Sequence, residues 1–484
     1  MGHDYAGRRV LVAGAGVAGA ACAEVLLGRG AAVTVIDRKA SAALERLRDA
    51  GAAIVVAEEP LAGLLDSIDD VVVSPGFAPH TPVARTALAA GLPVYSEPEL
   101  AWRLRPAGAA PWLAITGTNG KTTTTTMLAS ILRAAGRRTA ALGNIGEPLV
   151  FAAADPGRFD VLAVELSSFQ LYWSQTLAPE AGALLNLADD HLEWHGTFAA
   201  YAEAKLAVWR AAQAGAGVAV GNLDDPRVAE ALKRLEGTLF PRQTLRGGPC
   251  MVVGVTLGEP APGQLGVVDG MLVDRAFGDP TGAPEPLVAV LDIRPGGQHN
   301  VSNALHAAAL ARSHGVPPAA VAAGLAGYQP EPHRNALVAE IGGVAYVDDS
   351  KATNPHAALA SLTAYPRVVW IAGGQLKGVD IGELVATVAG RLTGAVLLGV
   401  DRHQIAEALR RHAPQVPVVD VARVDDGAMA EVVEAAAALA RPGDTVLLAP
   451  AAASKDMFAS FEHRGDAFAA AVRALEDRHE RGGR

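Results

Sequence analysis

A chain of 484 residues has room for about three domains of ordinary size. Half of the residues are hydrophobic and 19% are charged, which excludes a disordered chain. The net charge of −10 argues against a nucleic-acid-binding protein, because such proteins usually present a basic face.

Cysteine content and hydropathy set further bounds. The two cysteines, Cys22 and Cys250, lie far apart in the sequence, which excludes a disulfide framework and a cysteine metal site. No apolar run reaches the length that spans a membrane, and the first residues do not resemble a signal peptide. We therefore expect a cytoplasmic protein without membrane insertion.

Residues 8–37 predict a strand, a glycine turn, a helix and a second strand that ends at Asp37. The turn from Gly14 to Gly19 fits the pattern G-x-G-x-x-G, which alone predicts a dinucleotide such as NAD. However, the segment ends near residue 100, and a separate triphosphate loop follows it. A half-sized Rossmann-like domain can instead hold one nucleotide diphosphate, with the pyrophosphate over the glycines. The candidate binding residues are Gly16, Val17, Ala18, Asp37 and Arg38.

A second candidate contact in this region is the turn Ser74-Pro75-Gly76, which follows a predicted strand that begins at Asp70. Parallel sheets bind ligands at the carboxyl ends of their strands. The local sequence fits an ordinary turn equally well. Residues 103–111 are rich in Pro, Gly and Ala and predict a linker.

The stretch from Trp112 to Thr126 predicts a short buried strand, a tight glycine turn and a helix that begins at Lys121. Such a turn presents backbone N–H groups to an anion, and the helix start adds the positive end of its dipole. Lys121 would reach the terminal phosphates, and the Thr122 hydroxyl would bind Mg²⁺. Ile115 stands where the generic phosphate-loop pattern has Gly, so a plain strand–turn–helix junction is the alternative. The candidate ATP-binding residues are Gly117, Thr118, Asn119, Gly120, Lys121, Thr122 and Thr123.

Two further polar groups follow predicted strands of this region. Glu165 closes an apolar strand, where a carboxylate accompanying a phosphate loop would hold the metal; a solvated strand end is the alternative. His191 comes after two aspartates at the end of the next strand and is a second metal candidate. Thr197 could cap a helix over 198–212, which carries Lys205.

The remaining chain divides into a segment without evident chemistry and a third alternating region. Residues 236–295, rich in Gly, Pro and Val, predict short antiparallel strands or an insertion. Asn300 and Asn303 share one face of the helix after Gly297, although they could be caps only. Strands and helices alternate again after a Pro-marked linker over 328–334, which predicts a third doubly wound sheet.

Several motifs together resemble the Mur ligases of peptidoglycan synthesis. They are Gly117-Thr118-Asn119-Gly120-Lys121-Thr122, His299-Asn300 with Asn303, and His333-Arg334. Two stretches narrow the resemblance to the members of that family that add D-glutamate: Ser167-Ser168-Phe169-Gln170-Leu171 and Asp349-Ser350-Lys351-Ala352-Thr353-Asn354. The motifs occur in order from Gly14 to about Gly465, so the resemblance covers the whole organised chain.

The resemblance implies an α/β fold of three domains, each with a mainly parallel sheet. The N-terminal domain, residues 1–108, would be Rossmann-like and bind the UDP substrate. The central domain, residues 109–329, would be a P-loop ATPase-like domain. The C-terminal domain, residues 330–484, would be Rossmann-like, bind the amino acid and close on ATP.

The resemblance also implies roles for individual residues. The catalytic and metal-binding set would be Lys121, Thr122, Glu165, His191 and a carbamylated Lys205. The nucleotide would also contact Asn300, Arg334 and Asp349. The first substrate would contact Asn144, Ser167 and Gln170, and D-glutamate would lie among Lys351, Thr353, Lys377, Ser454 and Phe461.

The implied reaction is amide formation driven by ATP. ATP would phosphorylate the carboxylate of UDP-N-acetylmuramoyl-L-alanine, and the amine of D-glutamate would attack the acyl phosphate. The implied cofactors are ATP and two Mg²⁺ ions, and we expect a monomer that binds no nucleic acid.

Three alternatives stay open from the sequence. One is another Mur-type or folylpolyglutamate-type ligase with a different acceptor, although the chain lacks the Asp-Asn-Pro-Arg motif expected of a diamino-acid ligase. The others are an NAD-dependent oxidoreductase or redox-sensing module, and a nucleotide switch without enzymatic activity.

Overall fold

The computed structural model describes residues 3–60, 63–239, 251–278, 283–330, 332–425 and 427–482. Its internal contacts form two compact units, residues 1–292 with 302–328 and residues 293–301 with 329–484. Cys250 and part of the segment predicted to hold short strands lie outside the described residues. Within the described ranges, no helix is both long and apolar enough to cross a membrane.

The first unit begins with a five-stranded sheet in which every pair of strands is parallel. The strand order is β3-β2-β1-β4-β5, so the chain reverses direction across the sheet between β1 and β4. The loops after β1 and β4 therefore meet at the crevice where such sheets bind ligands. The elements are β1 (Arg9–Ala13), α1 (Val17–Gly28), β2 (Ala32–Asp37), α2 (Ala42–Asp49), β3 (Ala53–Val56), β4 (Asp70–Val73), α3 (Pro82–Ala89), β5 (Val94–Ser96) and α4 (Glu97–Leu104).

A nine-stranded sheet follows, with the order β14-β13-β12-β11-β10-β9-β6-β8-β7. Strand β6 is buried at all five residues between β8 and β9, as expected for an apolar run in the middle of a parallel sheet. The elements up to β10 are β6 (Trp112–Thr116), α5 (Lys121–Ala134), β7 (Ala141–Gly143), α6 (Leu149–Ala154), β8 (Leu162–Glu165), α7 (Ser168–Tyr172), β9 (Ala181–Leu184), α8 (Leu192–His195), α9 (Phe198–Leu206), α10 (Arg210–Gln213) and β10 (Val218–Asn222). The rest are α11 (Pro226–Leu239), β11 (Met251–Val255), β12 (Gln264–Val268), β13 (Met271–Asp274), β14 (Glu285–Ala289), α12 (Gln298–Ser313) and α13 (Pro318–Ala326).

Two details of this sheet differ from the sequence-based expectation. The strands after residue 250 are short, as predicted, but only β12, β13 and β14 pair antiparallel. Strand β11 is parallel to β10, because helix α11 carries the chain back across the sheet between them. Strand β11 is also parallel to β12. The single helix predicted over 198–212 is α9 and α10 separated by a 3₁₀ turn over Ala207–Trp209.

The second unit contains a six-stranded sheet with the order β15-β16-β20-β17-β18-β19. Only the pair β15–β16 is antiparallel among these strands. The elements are β15 (Ala336–Ile341), β16 (Val344–Asp348), α14 (Pro355–Thr363), β17 (Val368–Gly373), α15 (Gly382–Val388), β18 (Leu392–Leu398), α16 (Arg402–His412), β19 (Val418–Asp420), α17 (Ala428–Leu439), β20 (Thr445–Leu448) and α18 (Phe461–Gly482). The predicted α/β class with three mainly parallel sheets is confirmed.

Helix α4 joins the five-stranded sheet to the nine-stranded sheet within the first unit. The buried carboxylate of Glu97 accepts a hydrogen bond from the Val150 N–H at 2.8 Å, at the start of α6. Burial raises the pKa of Glu97 to about 7. The carboxylate of Glu99 accepts bonds from the N–H groups of residues 175–177, from the Thr176 hydroxyl at 2.6 Å and from Arg103 at 2.9 Å. Both carboxylates thus bind the chain of the neighbouring sheet.

Candidate active site

The loop between β6 and α5 has the shape of an anion-binding turn. Gly120 precedes the helix with a φ of 82°, in the left-handed region, and a Cβ there would lie 2.4 Å from the Asn303 side-chain oxygen. Only glycine fits that position without strain. The first N–H groups of α5 therefore open toward the loop, where an anion would also meet the positive end of the helix dipole.

Asn186 holds this loop in place from the end of β9. Its side-chain oxygen accepts from the Asn119 N–H at 2.8 Å, and its side-chain nitrogen donates to the Asn119 carbonyl at 3.1 Å. Thr118 adds a second anchor, because its hydroxyl lies 2.8 Å from the Tyr201 hydroxyl and accepts from the Ala188 N–H at 3.0 Å. Neither Asn186 nor Tyr201 was predicted as a site residue, since both act through atoms that are distant in sequence.

Lys121, Thr122, Glu165 and Asn144 meet at this end of the sheet. The Lys121 ammonium donates to the carbonyls of Gly117 and Thr118, both at 2.9 Å. The Thr122 hydroxyl donates to Glu165 Oε2 at 2.7 Å, and the Asn144 amide donates to Glu165 Oε1 at 2.8 Å. A hydroxyl and a carboxylate in contact are oxygen donors that suit Mg²⁺. Thr123 is buried one residue further along α5.

Lys205 is buried against the same loop from α9. Only 2% of its surface is exposed, and its Nζ donates to the Gly117 carbonyl at 2.7 Å. Burial, and then the neighbouring Lys121 charge, lower the pKa of Lys205 well below its usual range. This shift favours the neutral amine over the ammonium.

His191 lies in an aromatic cluster beside α7. Its ring centroid is 4.7 Å from that of Phe169, which also contacts Trp194 and His195. Burial lowers the pKa of His191, which keeps the imidazole neutral and able to offer a nitrogen lone pair. Among the described residues, no three His, Cys, Asp or Glu side chains form a ready-made metal group.

Ser167 and Gln170 bind each other at the start of α7. The Ser167 hydroxyl accepts from the Gln170 N–H at 3.2 Å, and the Gln170 side chain accepts from the Ser167 N–H at 2.9 Å. This capping box satisfies free N–H groups of the helix.

The glycine turn after β1 lies against the loop after β4, as the switch in strand order requires. The Ser74 hydroxyl donates to the Gly14 carbonyl at 3.5 Å, and Pro75 and Gly76 continue the turn. Asp37 accepts from the Ala15 N–H at 2.7 Å, so this carboxylate also orders the glycine turn. The other predicted substrate residues lie nearby in the chain. Gly16 is the N-cap of α1, and Val17, which is 79% exposed, and Ala18 are its first two residues. Arg38 comes directly after β2.

The loops predicted to hold the amino acid follow β16, β17 and β20, at the carboxyl ends of three neighbouring strands of the six-stranded sheet. Gln375 and Ala453 form a short antiparallel bridge between two of these loops. The Lys351 ammonium lies 3.9 Å from the centre of the Phe461 ring, and Lys377 has a φ of 55°. Ser454 is buried, and Thr353 donates its N–H to the Lys351 carbonyl at 2.7 Å.

Arg464 organises these loops and was not found from the sequence. It is 1% exposed and donates to the Ser350 hydroxyl at 2.9 Å and the Ser350 carbonyl at 2.8 Å. It also donates to the carbonyls of Gly373 and Ala452 at 3.3 and 3.2 Å. Burial lowers the pKa of Arg464 to about 10, so the side chain stays charged at neutral pH. One buried cation therefore holds three separate loops.

The remaining predicted nucleotide contacts lie in the second unit. Asn300 is buried and donates to the Gly296 carbonyl at 3.1 Å. Arg334 follows His333, whose Nδ1 lies 2.6 Å from Asp348 Oδ2. Asp349 is buried, accepts hydrogen bonds from the Ser361 hydroxyl and from the Asn335 N–H, and burial raises its pKa to about 6.

Comparison with known proteins identifies the group to which this chain belongs. Profiles of the Mur ligase MurD-like N-terminal domain, the Mur ligase middle domain and the Mur ligase glutamate ligase domain match residues 8–96, 115–241 and 333–452. The UDP-N-acetylmuramoylalanine--D-glutamate ligase of Thermobifida fusca (strain YX) is 56% identical over 481 residues, 98% of this chain and 99% of the relative. This chain belongs to the Mur ligase family. The ligase of the same name from Streptomyces coelicolor is 50% identical over 98% of this Mur ligase and 100% of the relative.

Solved structures support the fold of this Mur ligase. The UDP-N-acetylmuramate-alanine ligase MurC of Thermotoga maritima matches with a TM-score of 0.54 at 17% identity, covering 97% of this chain and 99% of the other. MurF from Acinetobacter baumannii matches with a TM-score of 0.58 at 17% identity, covering 96% and 93%. The resemblance inferred from the motifs is confirmed.

Proposed function

We propose that this Mur ligase uses ATP to join D-glutamate to UDP-N-acetylmuramoyl-L-alanine, a step of peptidoglycan precursor synthesis. The observation that carries the proposal is the 56% identity, over nearly the full length of both chains, to a relative named for that reaction. The proposal places the reaction in the cytoplasm and the enzyme in a monomeric state.

The proposed reaction has two steps. A carboxylate oxygen of the L-alanine residue attacks the γ-phosphorus of ATP, ADP leaves, and an acyl phosphate forms. The amine of D-glutamate then attacks the acyl carbon, and the tetrahedral intermediate loses inorganic phosphate and a proton to give the amide. The protein contributes chiefly by positioning anions and offsetting their charge.

The phosphate loop supplies the donors for the first step. The N–H groups at the start of α5 would face the phosphates. The Lys121 ammonium, which now donates to two loop carbonyls, would donate to phosphate oxygens instead. We also assign nucleotide contacts to Asn300, Arg334 and Asp349. Thr118, Asn119 and Thr123 belong to the same loop and helix start.

ATP-dependent ligases of this family require Mg²⁺, and oxygen donors are present to hold it. Thr122 and Glu165, 2.7 Å apart, would hold one ion. We propose that a second ion is held by His191 and a modified Lys205. When bound, Mg²⁺ offsets the negative charge that develops on the transferring phosphoryl group.

The modification proposed for Lys205 is a carbamate. The neutral Nζ attacks the carbon of CO₂ to form an N–C bond, and the nitrogen releases a proton to solvent. The product carries a negative charge and two oxygen donors in place of a cation that would repel Mg²⁺. The buried position and lowered pKa of Lys205 support this step, because only the unprotonated amine reacts.

The two remaining ligands are assigned to opposite ends of the chain. We assign the UDP-linked substrate to Gly16, Val17, Ala18, Asp37, Arg38, Ser74, Pro75 and Gly76, with Asn144, Ser167 and Gln170 beside its reacting end. D-Glutamate is assigned to Lys351, Thr353, Lys377, Ser454 and Phe461, because an acidic acceptor requires cationic and N–H donors.

The test of this function is ADP release with UDP-N-acetylmuramoyl-L-alanine and a panel of amino acids. Turnover that depends on D-glutamate supports the proposal. Turnover with UDP-N-acetylmuramate and L-alanine, or with a diamino acid in place of D-glutamate, would overturn it in favour of another Mur-type ligase. Hydrolysis of ATP without any acceptor would instead support the nucleotide switch.

The carbamate is tested separately with isotopically labelled CO₂. We expect a ¹³C NMR signal of a lysine carbamate in the wild-type protein that is absent from Lys205→Ala. That variant should be nearly inactive, and short carboxylic acids should restore part of its rate by supplying the missing oxygens. An active Lys205→Ala variant, or a wild-type protein without the signal, contradicts the modification.

A further inference from the structure

An open pocket of about 330 Å³ lies at the linker between the first two sheets of the first unit. Three of its lining residues, Trp102, Arg103 and Arg105, come from the end of α4 and just beyond it. The others are His3, Thr176 and linker residues 106–109. We call this the linker pocket, and it shares no lining residue with the candidate active site.

The charged side chains that line the linker pocket are all positive. Arg103 and Arg105 carry positive charge, and no carboxylate is among the lining residues. Arg103 is already paired with Glu99 at 2.9 Å and donates to the Gln175 side chain at 3.3 Å. The unbalanced charge therefore belongs to Arg105.

Arg105 is held in place but not neutralised. Its Nη2 donates to the carbonyls of Ala109 and Ala110, at 3.3 and 2.7 Å, and its guanidinium lies 4.1 Å from the centre of the Trp102 ring. Its Nε is buried and has no hydrogen-bond partner. Burial lowers the pKa of Arg105 to about 10, and no carboxylate of the described chain offsets that effect. A partly buried cation without a counter-charge is costly unless a ligand supplies one.

We propose that the linker pocket binds a small organic anion that carries a phosphate or carboxylate group, with Arg105 as the anchoring cation. Phosphate and carboxylate groups carry the negative charge with which a guanidinium pairs. The volume lies within the usual range for small-molecule sites and exceeds that needed for an inorganic ion.

Binding there would fix the linker to both sheets. Thr176 follows α7 of the nine-stranded sheet, and its hydroxyl donates to Glu99 of α4 at 2.6 Å. An anion in the linker pocket would touch Thr176 and the end of α4 together. It would therefore stabilise the first unit in proportion to its affinity.

The test is calorimetric titration of the full-length protein with citrate, glycerol 2-phosphate and inorganic phosphate at matched ionic strength. The first two distinguish a carboxylate ligand from a phosphate ester. Lys121→Ala is titrated alongside, because the phosphate loop could also bind phosphates. We expect one saturable site for citrate or glycerol 2-phosphate in both proteins.

Two variants remove the site by different routes. Arg105→Gln should raise the Kd about tenfold or more, because the anchoring charge is lost. Ala107→Glu should do the same with Arg105 intact, since the new carboxylate at the pocket rim competes for the guanidinium. The exposed Arg85→Gln serves as the control and should bind normally. Unchanged binding in Ala107→Glu, binding lost in Lys121→Ala, or no saturable binding in the wild type would overturn the proposal.

Discussion

The ammonium of Lys121 rests on two carbonyl oxygens of its own loop, where the phosphates of ATP would displace them. We expect Lys121→Ala to keep the fold and to lower kcat by about 10²–10³, the usual cost of losing one positioned charge. Steady-state ADP release measures the effect, and the exposed Lys233→Ala is the matched control. A variant with a nearly normal rate would mean that this loop is not the ATP site.

Arg464 contacts no proposed ligand and is expected to act by positioning the loops that do. Arg464→Lys keeps the charge but cannot reach all four acceptors, so the acceptor loops should loosen. We expect the KM for D-glutamate to rise about tenfold or more, while the KM for ATP changes little. Arg473→Lys, exposed on the same helix, is the control. Equal increases in both KM values would instead indicate a general loss of structure.

The residues that the sequence revealed and those that it concealed differ in how they act. Lys121, Thr122 and Glu165 belong to local patterns whose chemistry is known, and the structure places Thr122 and Glu165 in contact. Asn186 and Arg464 act on backbone atoms of distant segments. The sequence around Asn186 and Arg464 does not indicate which distant backbone atoms they contact, so their roles become visible only in the folded structure.

At the scale of single elements, α4 shows that a local sequence pattern does not determine which side chains of a helix are buried. Acidic residues in the first turn of a helix usually face solvent, where their negative charge interacts favourably with the positive end of the helix dipole. Glu97 and Glu99 occupy that first turn, yet both are buried and bind the neighbouring sheet. Their role depends on which surface packs against α4, and the helix sequence does not contain that information.

Glu99→Gln tests how much α4 contributes to stability. The amide replaces a carboxylate oxygen by an NH₂ group that faces other donors, so we expect a loss of about 2–4 kcal/mol in the free energy of unfolding. Burial alone would raise the pKa of Glu99, but hydrogen bonds from Thr176 and Arg103 outweigh it and lower the pKa. The stability that the Glu99 carboxylate contributes is therefore fully present above its pKa in the unfolded chain. It is lost as the pH falls through the lower pKa of Glu99 in the folded protein.

Urea unfolding at neutral pH measures the difference, with the exposed Glu24→Gln on α1 as control. Equal stability of Glu99→Gln and the wild type would show that α4 is held by apolar packing alone.

For the whole molecule, alternation of strands and helices predicted the third sheet, and the resemblance to the Mur ligases implied that all three sheets are mainly parallel. Each apolar strand followed by a helix forces a parallel crossover, and that rule holds through β6 to β10. It also explains why β11 is parallel, although the sequence around it predicted antiparallel strands. That crossover is made by α11, most of which lies before the Gly- and Pro-rich residues 236–295.

Buried histidines should make the folded chain sensitive to acid. Burial lowers the pKa of both His299 and His306 to about 4, whereas an unfolded chain holds its histidines at about 6.5. The unfolded state therefore binds more protons between these values, so stability should fall as the pH drops from about 6.5 toward 4. Urea unfolding midpoints across this range measure the trend.

A variant identifies one source of that trend. His306→Leu should flatten the dependence on pH, because the fully buried ring can no longer take up a proton on unfolding. The exposed His80→Leu should leave the dependence unchanged. An equally steep curve for His306→Leu would assign the acid sensitivity to other groups.

The two hydrogen bonds between Asn186 and Asn119 also bear on how the protein ages. Asn119 precedes Gly120, and an Asn-Gly pair is chemically fragile, because the unhindered glycine nitrogen can attack the asparagine side chain and release ammonia. That attack requires the Asn119–Gly120 peptide plane to rotate. Asn186 fixes the N–H and the carbonyl of Asn119, so the same contacts that shape the loop slow its deamidation. Storage under conditions that loosen β9 would remove this protection and place a new carboxylate in the loop that we propose binds ATP.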